Sequence, residues 1–387
     1  MQDLFLGLDT EDLFFHNQLR NLQTFILEPR PAHHHEEIIT TWSDCLQAIG
    51  QVSEIDMKRS IYNHGERFSL PIKPWLLPRL VPDGALKNTG KQWLEAKTRS
   101  ISSVIMGGGR EERSYFDWVS RRMGEEVYRH IYSAYIYKRF GSSGAELSAG
   151  LARVLHFGSS GKKQIVYGAP KNSEQVTWGC TFERFSIERN RITSVVINSE
   201  QHNVEGRLYI ALPVTRILAL LPNVPKSIEV DAHHLRYQDQ GMFLVEGENE
   251  RAAAIHYLDK DHPWIVRYCL PSGDSLIWFD PEQEREAQEE LERVGLTIKS
   301  RWIRSSWVPV WGKQSHFRYR RVAAFLESLG ITLVGKRALY SQKSMPETIV
   351  LRLQHRDLEI SEFLRLHIDP PVRQEDLNAS LLEWIVD

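Results

Sequence analysis

"GITLVGKRALYSQKSMPETIV", residues 330 to 350, is the stretch from which the rest of the chain is best understood. It reads as a buried strand, then Gly335, Lys336 and Arg337, then a polar turn into an amphipathic segment. A glycine at a strand end lets another group come close to the backbone, and a helix starting just after it offers free N–H groups to an anion. The arrangement suits a phosphate-bearing cofactor. A plain loop whose two cations cap the strand end has the same pattern.

The chain has 387 residues, enough for two or three domains' worth of core, and its 42% hydrophobic and 25% charged content is that of an ordinary globular protein. With 48 basic against 50 acidic residues the net charge is −2, so no global field draws the chain toward nucleic acid or anionic lipid. Cys45, Cys180 and Cys269 are far apart and outside any C-x-x-C spacing, which points away from a disulfide framework or a zinc site and toward a reducing cytoplasm. The N-terminus carries acids where a signal peptide needs a basic start. No apolar run reaches the roughly 18 residues of a membrane span.

Along the chain, residues 1 to 55 read as a helical N-terminal region with a polar break at "EPRPAHHHEE". Residues 56 to 180 read as a hairpin turning at His64-Gly65-Glu66, a proline-broken stretch and a helical part. There Phe116, Val119, Met123, Val127, Ile131 and Tyr135 recur every three or four residues, a stripe that wants burial. Residues 181 to 225 hold a hairpin around Asn190 and a strand running into a helix, "GRLYIALPVTRILALLP". Residues 226 to 315 are rich in strands and include a charged surface helix, "PEQEREAQEELERVGL", and residues 316 to 387 end with "GITLVG" and terminal helices. The fold class expected is α+β, derived from α/β.

The candidate chemical features each have a plainer reading beside the functional one. His33, His34 and His35 with Glu36 and Glu37 invite a metal, yet adjacent histidines point in different directions, and a solvated turn is the reading preferred. Gly107, Gly108 and Gly109 follow an apolar run, but without G-x-G-x-x-G or G-K-[ST] they read as a connector. Arg153 and Arg267 sit in apolar surroundings, where an arginine needs an acidic or phosphate partner or must snorkel. The aromatic content, with 11 Trp and 13 Tyr, suits stacking on a flat ligand and equally suits a large aromatic core.

Several separated stretches, in order, resemble the flavin-dependent superfamily that holds protoporphyrinogen oxidase, the amine oxidases and UDP-galactopyranose mutase. "FDWVSRRMGEEVYRHIYSAYIYKRFGSSGAELSAGLAR", residues 116 to 153, is similar to that group's W-x-x-x-R-x-G segment leading into a P-Y-x-x-K-x-W-G-like core, with Trp118, Arg122, Gly124, Tyr135, Lys138, Gly141 and Arg153 in matching places. "YNHGERFSLPI" resembles the preceding hairpin, and "AIHYLDKDHPWIVRYCLPSGDS" a substrate-domain strand ending in Arg267. "GITLVGKRALYSQKSMPETIVLRL" is similar to the C-terminal G-R-x-x-x-x-Y-x-x-M element, which in that group lies against the FAD pyrophosphate and ring.

The resemblance implies FAD as cofactor, with Gly335, Lys336, Arg337 and Met345 near it, and a substrate side holding Tyr135, Arg153 and Arg267. The family opens with a strand, G-x-G-x-x-G, a helix and an acidic residue for the ribose, a unit not found in this chain by pattern. The expectation is therefore an incomplete FAD-binding domain plus a mixed sheet-and-helix substrate domain. Functionally, the chain is expected to be a subunit or truncated relative of a flavin-dependent oxidoreductase, with a second chain carrying the glycine-rich half. The alternatives are a flavin-free binding module and a nucleotide-sugar-binding, mutase-like protein.

Overall fold

A computed structural model describes residues 2–8, 19, 22–28, 37–40, 51–70, 76–81, parts of 88–98, 113–154, 161–167, 175–246, 253–270, 273–343 and 345–368. The histidine run at residues 33–35 and the glycines at 107–109 lie outside them.

The chain opens with two short apolar runs, and both are strands, β1 (Asp3–Gly7) and β2 (Leu22–Ile26). β3 (Glu37–Thr40) and β4 (Gln51–Asn63) follow, so the described parts of residues 1–55 are strands where helix was expected. The physical reason lies in burial. β1 is sandwiched between parallel neighbours and is buried along most of its length, so it shows a continuous apolar run instead of a two-residue alternation. A short run of that kind does not announce its period.

β5 (Glu66–Ser69) closes the expected hairpin on β4, with His64 and Gly65 at positive φ in the turn. Next come β6 (Gly161–Tyr167), β7 (Val176–Thr177), β8 (Phe182–Glu188), β9 (Arg191–Ile197), β10 (Glu200–Asn203) and β11 (Leu208–Ile210). The β8–β9 hairpin turns at Arg189 and Asn190, both in the left-handed region, as the asparagine suggested. Then come β12 (Arg236–Val245), β13 (Ala253–Tyr257), β14 (Trp264–Cys269), β15 (Ser275–Phe279), β16 (Ile298–Val310) and β17 (Ile331–Leu333).

These strands form three sheets. A parallel sheet runs β17-β11-β1-β2-β7, a small antiparallel one runs β10-β9-β8, and a large mixed one runs β16-β12-β15-β14-β13-β4-β6-β3. The opening strand that the sequence appeared to lack is thus in this chain, at the centre of the parallel sheet. β1 pairs with β2 on one side and β11 on the other, leaving it no open edge.

The helices that matter for function are α1 (Tyr115–Met123), α2 (Ser133–Phe140), α3 (Ala149–Val154), α4 (Val214–Ala219), α5 (Glu284–Arg293), α6 (Ser315–Ser328), α7 (Gly335–Ala338) and α8 (Met345–Gln354). α1 starts at a capping box. The Asp117 N–H donates to the Ser114 hydroxyl at 3.1 Å, and the Ser114 N–H donates to the Asp117 carboxylate at 3.0 Å. A π-helical turn, Tyr128–Tyr132, leads into α2. The predicted stripe is buried, with Val119, Met123, Val127, Ile131 and Tyr135 all in the core and Phe116 packed against it. The helical stripe and most of the parallel sheet share one core, while α5 covers the far face of the large sheet through Ala287 and Leu291.

Candidate functional site

Two places in this architecture could hold a ligand. One is the carboxyl edge of the parallel sheet, where open α/β sheets bind nucleotides at the point where strand order reverses. Here the chain leaves β1 for β2 on one side and reaches β11 on the other, so the reversal falls at β1. Beyond the ladder, the Leu27 N–H donates to the Gly7 carbonyl (3.1 Å) and the Glu28 N–H to that of Leu8 (2.9 Å). The Val334 N–H donates to the Ile210 carbonyl (3.0 Å). Glu28 thus follows β2 closely, 21 residues after Gly7, where a dinucleotide-binding unit keeps its ribose acid. Sequence reading missed it, although "LQTFILE", an apolar run closed by an acid at that spacing, was the available signal.

Of the expected cofactor residues, Gly335, Lys336 and Arg337 follow β17 at this edge. Gly335 begins α7 with φ of 76°, a conformation that favours glycine. Lys336 is half-buried, and Arg337 is 0% exposed. Met345 opens α8, with its side chain outside the described residues. What surrounds α7 is protein. Tyr237 donates its hydroxyl to the Arg337 carbonyl (3.0 Å), Tyr319 donates to the Ala338 carbonyl (2.5 Å), and the Trp311 indole N–H donates to the Tyr340 carbonyl (2.8 Å). The tyrosines satisfy the carbonyls that a helix end leaves unbonded. Leu8, Ala211, Leu212 and Val334 complete the edge and are all buried. FAD along this edge needs accessible backbone and an accessible cation. Among the described residues Gly7, Leu8 and Gly335 are buried and Arg337 is 0% exposed, which leaves the half-buried Lys336 as the accessible cation, a poor fit to the group.

The second place is the face of the large sheet beneath α2. Residues paired across neighbouring strands share a face, and the register places Arg304, Gln240, Trp278, Tyr268, His256 and Arg59 on one side. α2 packs over this side. Its Tyr135 hydroxyl lies 2.9 Å from His256 Nδ1, Arg139 Nη1 lies 2.8 Å from the Tyr135 hydroxyl, and the Arg139 guanidinium lies 5.8 Å from the centre of the Trp278 ring.

Arg139 can only donate, so the Tyr135 oxygen accepts from it, and the direction of the Tyr135–His256 bond follows the tautomer of the imidazole. Burial, with Arg139 and Arg59 nearby, holds the His256 imidazole well below its ordinary pKa and therefore neutral. Burial raises the Tyr135 phenol, with Arg139 pulling the other way.

Three groups here lack a counterpart among the described residues. Gln240 is 0% exposed, and neither its amide oxygen nor its amide nitrogen has a hydrogen-bond partner. The Trp278 indole nitrogen and Arg139 Nε are likewise buried without one. Among the described residues no carboxylate pairs with Arg139, and what acts on it is burial together with the hydroxyls of Tyr135, Tyr268 and Tyr115. Tyr268, Trp278, Arg59 and Arg139 keep partial solvent access, so this face is reachable from solvent.

The expected substrate residues do not all meet. Tyr135 is at this face. Arg267 is on the opposite face of the same sheet, paired across to Ile255 and Ile277, with its Nε donating to the Ser275 hydroxyl at 3.3 Å. Arg153 is in α3, its side chain outside the described residues. Sequence reading missed Arg139, Gln240 and His256. Only the strand register brings them together.

No family model matches the chain, and no curated protein matches its sequence. Solved structures do match in fold. Reduced UDP-galactopyranose mutase aligns with a TM-score of 0.68 and 11% identity, over 94% of this chain and 93% of that one. A protein provisionally named protoporphyrinogen oxidase, from an Exiguobacterium species, aligns with a TM-score of 0.59 and 11% identity, over 93% of this chain and 99% of that one. Cyclohexylamine oxidase from Brevibacterium oxydans aligns with a TM-score of 0.56 and 10% identity, over 94% of this chain and 99% of that one. Among the described residues no helix is long and apolar enough to cross a membrane. The chain has, over nearly its whole length, the fold of the flavin-dependent oxidoreductases related to UDP-galactopyranose mutase, protoporphyrinogen oxidase and the amine oxidases.

Proposed function

We propose that this chain binds a small organic anion on the α2-facing side of its large sheet, as a ligand-binding relative of the flavoenzyme fold. Gln240 carries this reading: it is fully buried, with both amide atoms unpartnered, on the face that Arg139 overhangs. A buried amide without bonds costs about 1–3 kcal/mol, so such a group is retained where a ligand completes it. Arg139 selects the charge. A guanidinium takes carboxylate or phosphate in a fork of N–H donors. The Tyr268 and Trp278 rings, 5.3 Å apart, and the Trp278 indole N–H suit a ligand with a flat portion and an acceptor.

The test is thermal unfolding with phenyl phosphate, benzoate and uridine diphosphate as probes, on the natural chain and on Arg139→Gln. The expected result is a rise in Tm with at least one probe that is lost in the variant. No rise with any probe, or an equal rise in both proteins, contradicts the reading.

A flavin-dependent oxidoreductase, working alone or with a second chain, is the other reading. Glu28 just after β2 favours it, as do the flavoenzymes that share the fold. Against the two-chain form stands the central position of β1, which removes the unpaired edge that a partner would cover. Against FAD in either form stands the burial of Gly335 and Arg337 at the carboxyl edge.

A further inference from the structure

The buried edge and the sequence that leads out of it point the same way. β1 ends at Gly7, and the chain then reads G-L-D-T-E-D over residues 7 to 12. In a dinucleotide-binding unit those positions read G-x-G-x-x-G. The second glycine lets backbone approach the pyrophosphate, and the third lets the following helix pack closely on the strand. Here Asp9 and Asp12 hold both positions, with Glu11 between them. By sequence alone, acids stand where the unit has the glycines that bare its N–H groups to a pyrophosphate.

On the other side of the edge, of the two cations expected to meet the phosphates Arg337 is turned into the protein, and Lys336 keeps partial solvent access. Arg337 is 0% exposed, and the carbonyls of Arg337, Ala338 and Tyr340 are taken by Tyr237, Tyr319 and Trp311. Leu8, Val334 and Leu339 are buried as well. We infer that the nucleotide crevice of this fold has become a structural seam, filled by the chain's own side chains, and that the protein reaches its final folded state without FAD. α7 is then part of the core that locks β17 to β12 and α6. Glu28 is what remains of the older edge.

The experiment uses the full-length chain, purified from cells without added flavin and again after incubation with excess FAD. Each sample is read by visible absorption and by thermal unfolding. The expected result is no flavin band in either sample and a Tm unmoved by FAD. A flavin band that survives desalting, or a Tm that rises with FAD, overturns the inference. Arg337→Met gives a second, independent reading. As a structural residue its loss lowers Tm while visible absorption stays flat. A variant that folds at the natural Tm contradicts the seam, since removing one partner of a buried charged interaction leaves the other uncompensated. The anion probes play no part here, so failure of the proposed ligand and failure of the seam are separable.

Discussion

Lys138 and Gln240 are both buried polar side chains of the substrate-domain half, and they differ in how they are satisfied. The Lys138 ammonium donates to three carbonyls, of Asp259 (2.9 Å), His262 (3.2 Å) and Trp264 (3.0 Å), and so ties the turn before β14 to α2. Lys138→Met removes all three bonds and leaves the carbonyls in an apolar setting, for an expected loss of about 2–3 kcal/mol in denaturant unfolding. Burial also lowers the Lys138 pKa to about 7, with Asp259 and Asp261 opposing. Between that value and the 10.5 of an unperturbed lysine, the unfolded chain binds a proton that the folded chain does not. Stability contributed by this group therefore rises with pH across that window. Unfolding free energies measured across it should climb more steeply for the natural chain than for Lys138→Met, and equal slopes would contradict the assignment.

At the scale of elements, the α7 turn shows how tertiary hydrogen bonds replace helix propensity. A helix of four residues has no free-standing stability, and here tyrosines from β12 and α6 take the carbonyls of Arg337 and Ala338. Tyr319→Phe keeps the ring and loses the bond to Ala338, so the expected cost is about 1 kcal/mol, read as a lower denaturant midpoint with an unchanged slope. Gly335→Ala forces a side chain into φ of 76° and should cost about 1–2 kcal/mol. A variant as stable as the natural chain would show that the turn can relax. The hairpins at His64-Gly65 and Arg189-Asn190, the α1–α2 stripe and the 331–333 strand were legible because each carries a local signal: turn chemistry, a three-to-four period, or an apolar run beside glycine. β1 and β2 were not, because strands buried by parallel neighbours have no alternation to display.

Across the whole molecule, order of motifs carried the fold, while the sites depended on what the register brings together. The carboxyl edge carries Gly335, Lys336 and Arg337 right after β17, with Gly335 and Arg337 buried and Lys336 half-buried. The large sheet gathers Arg59, His256, Tyr268, Trp278, Gln240 and Arg304 from separate strands onto one face, and no motif links them in the sequence. Arg267 shows the converse. Its apolar flanks marked it for attention, and strand parity turned it to the side covered by α5. A binding face that keeps unpaired polar groups is less stable than one packed with hydrocarbon, and that trade between stability and function is measurable without knowing the ligand. The deciding measurement is the denaturant unfolding free energy of Gln240→Leu against the natural chain, both free of ligand. Leucine there removes two unsatisfied polar atoms at similar volume, so the account predicts a variant more stable by about 1–2 kcal/mol. A variant less stable by that amount would mean that Gln240 is bonded within the fold, and the binding face would lose its principal support.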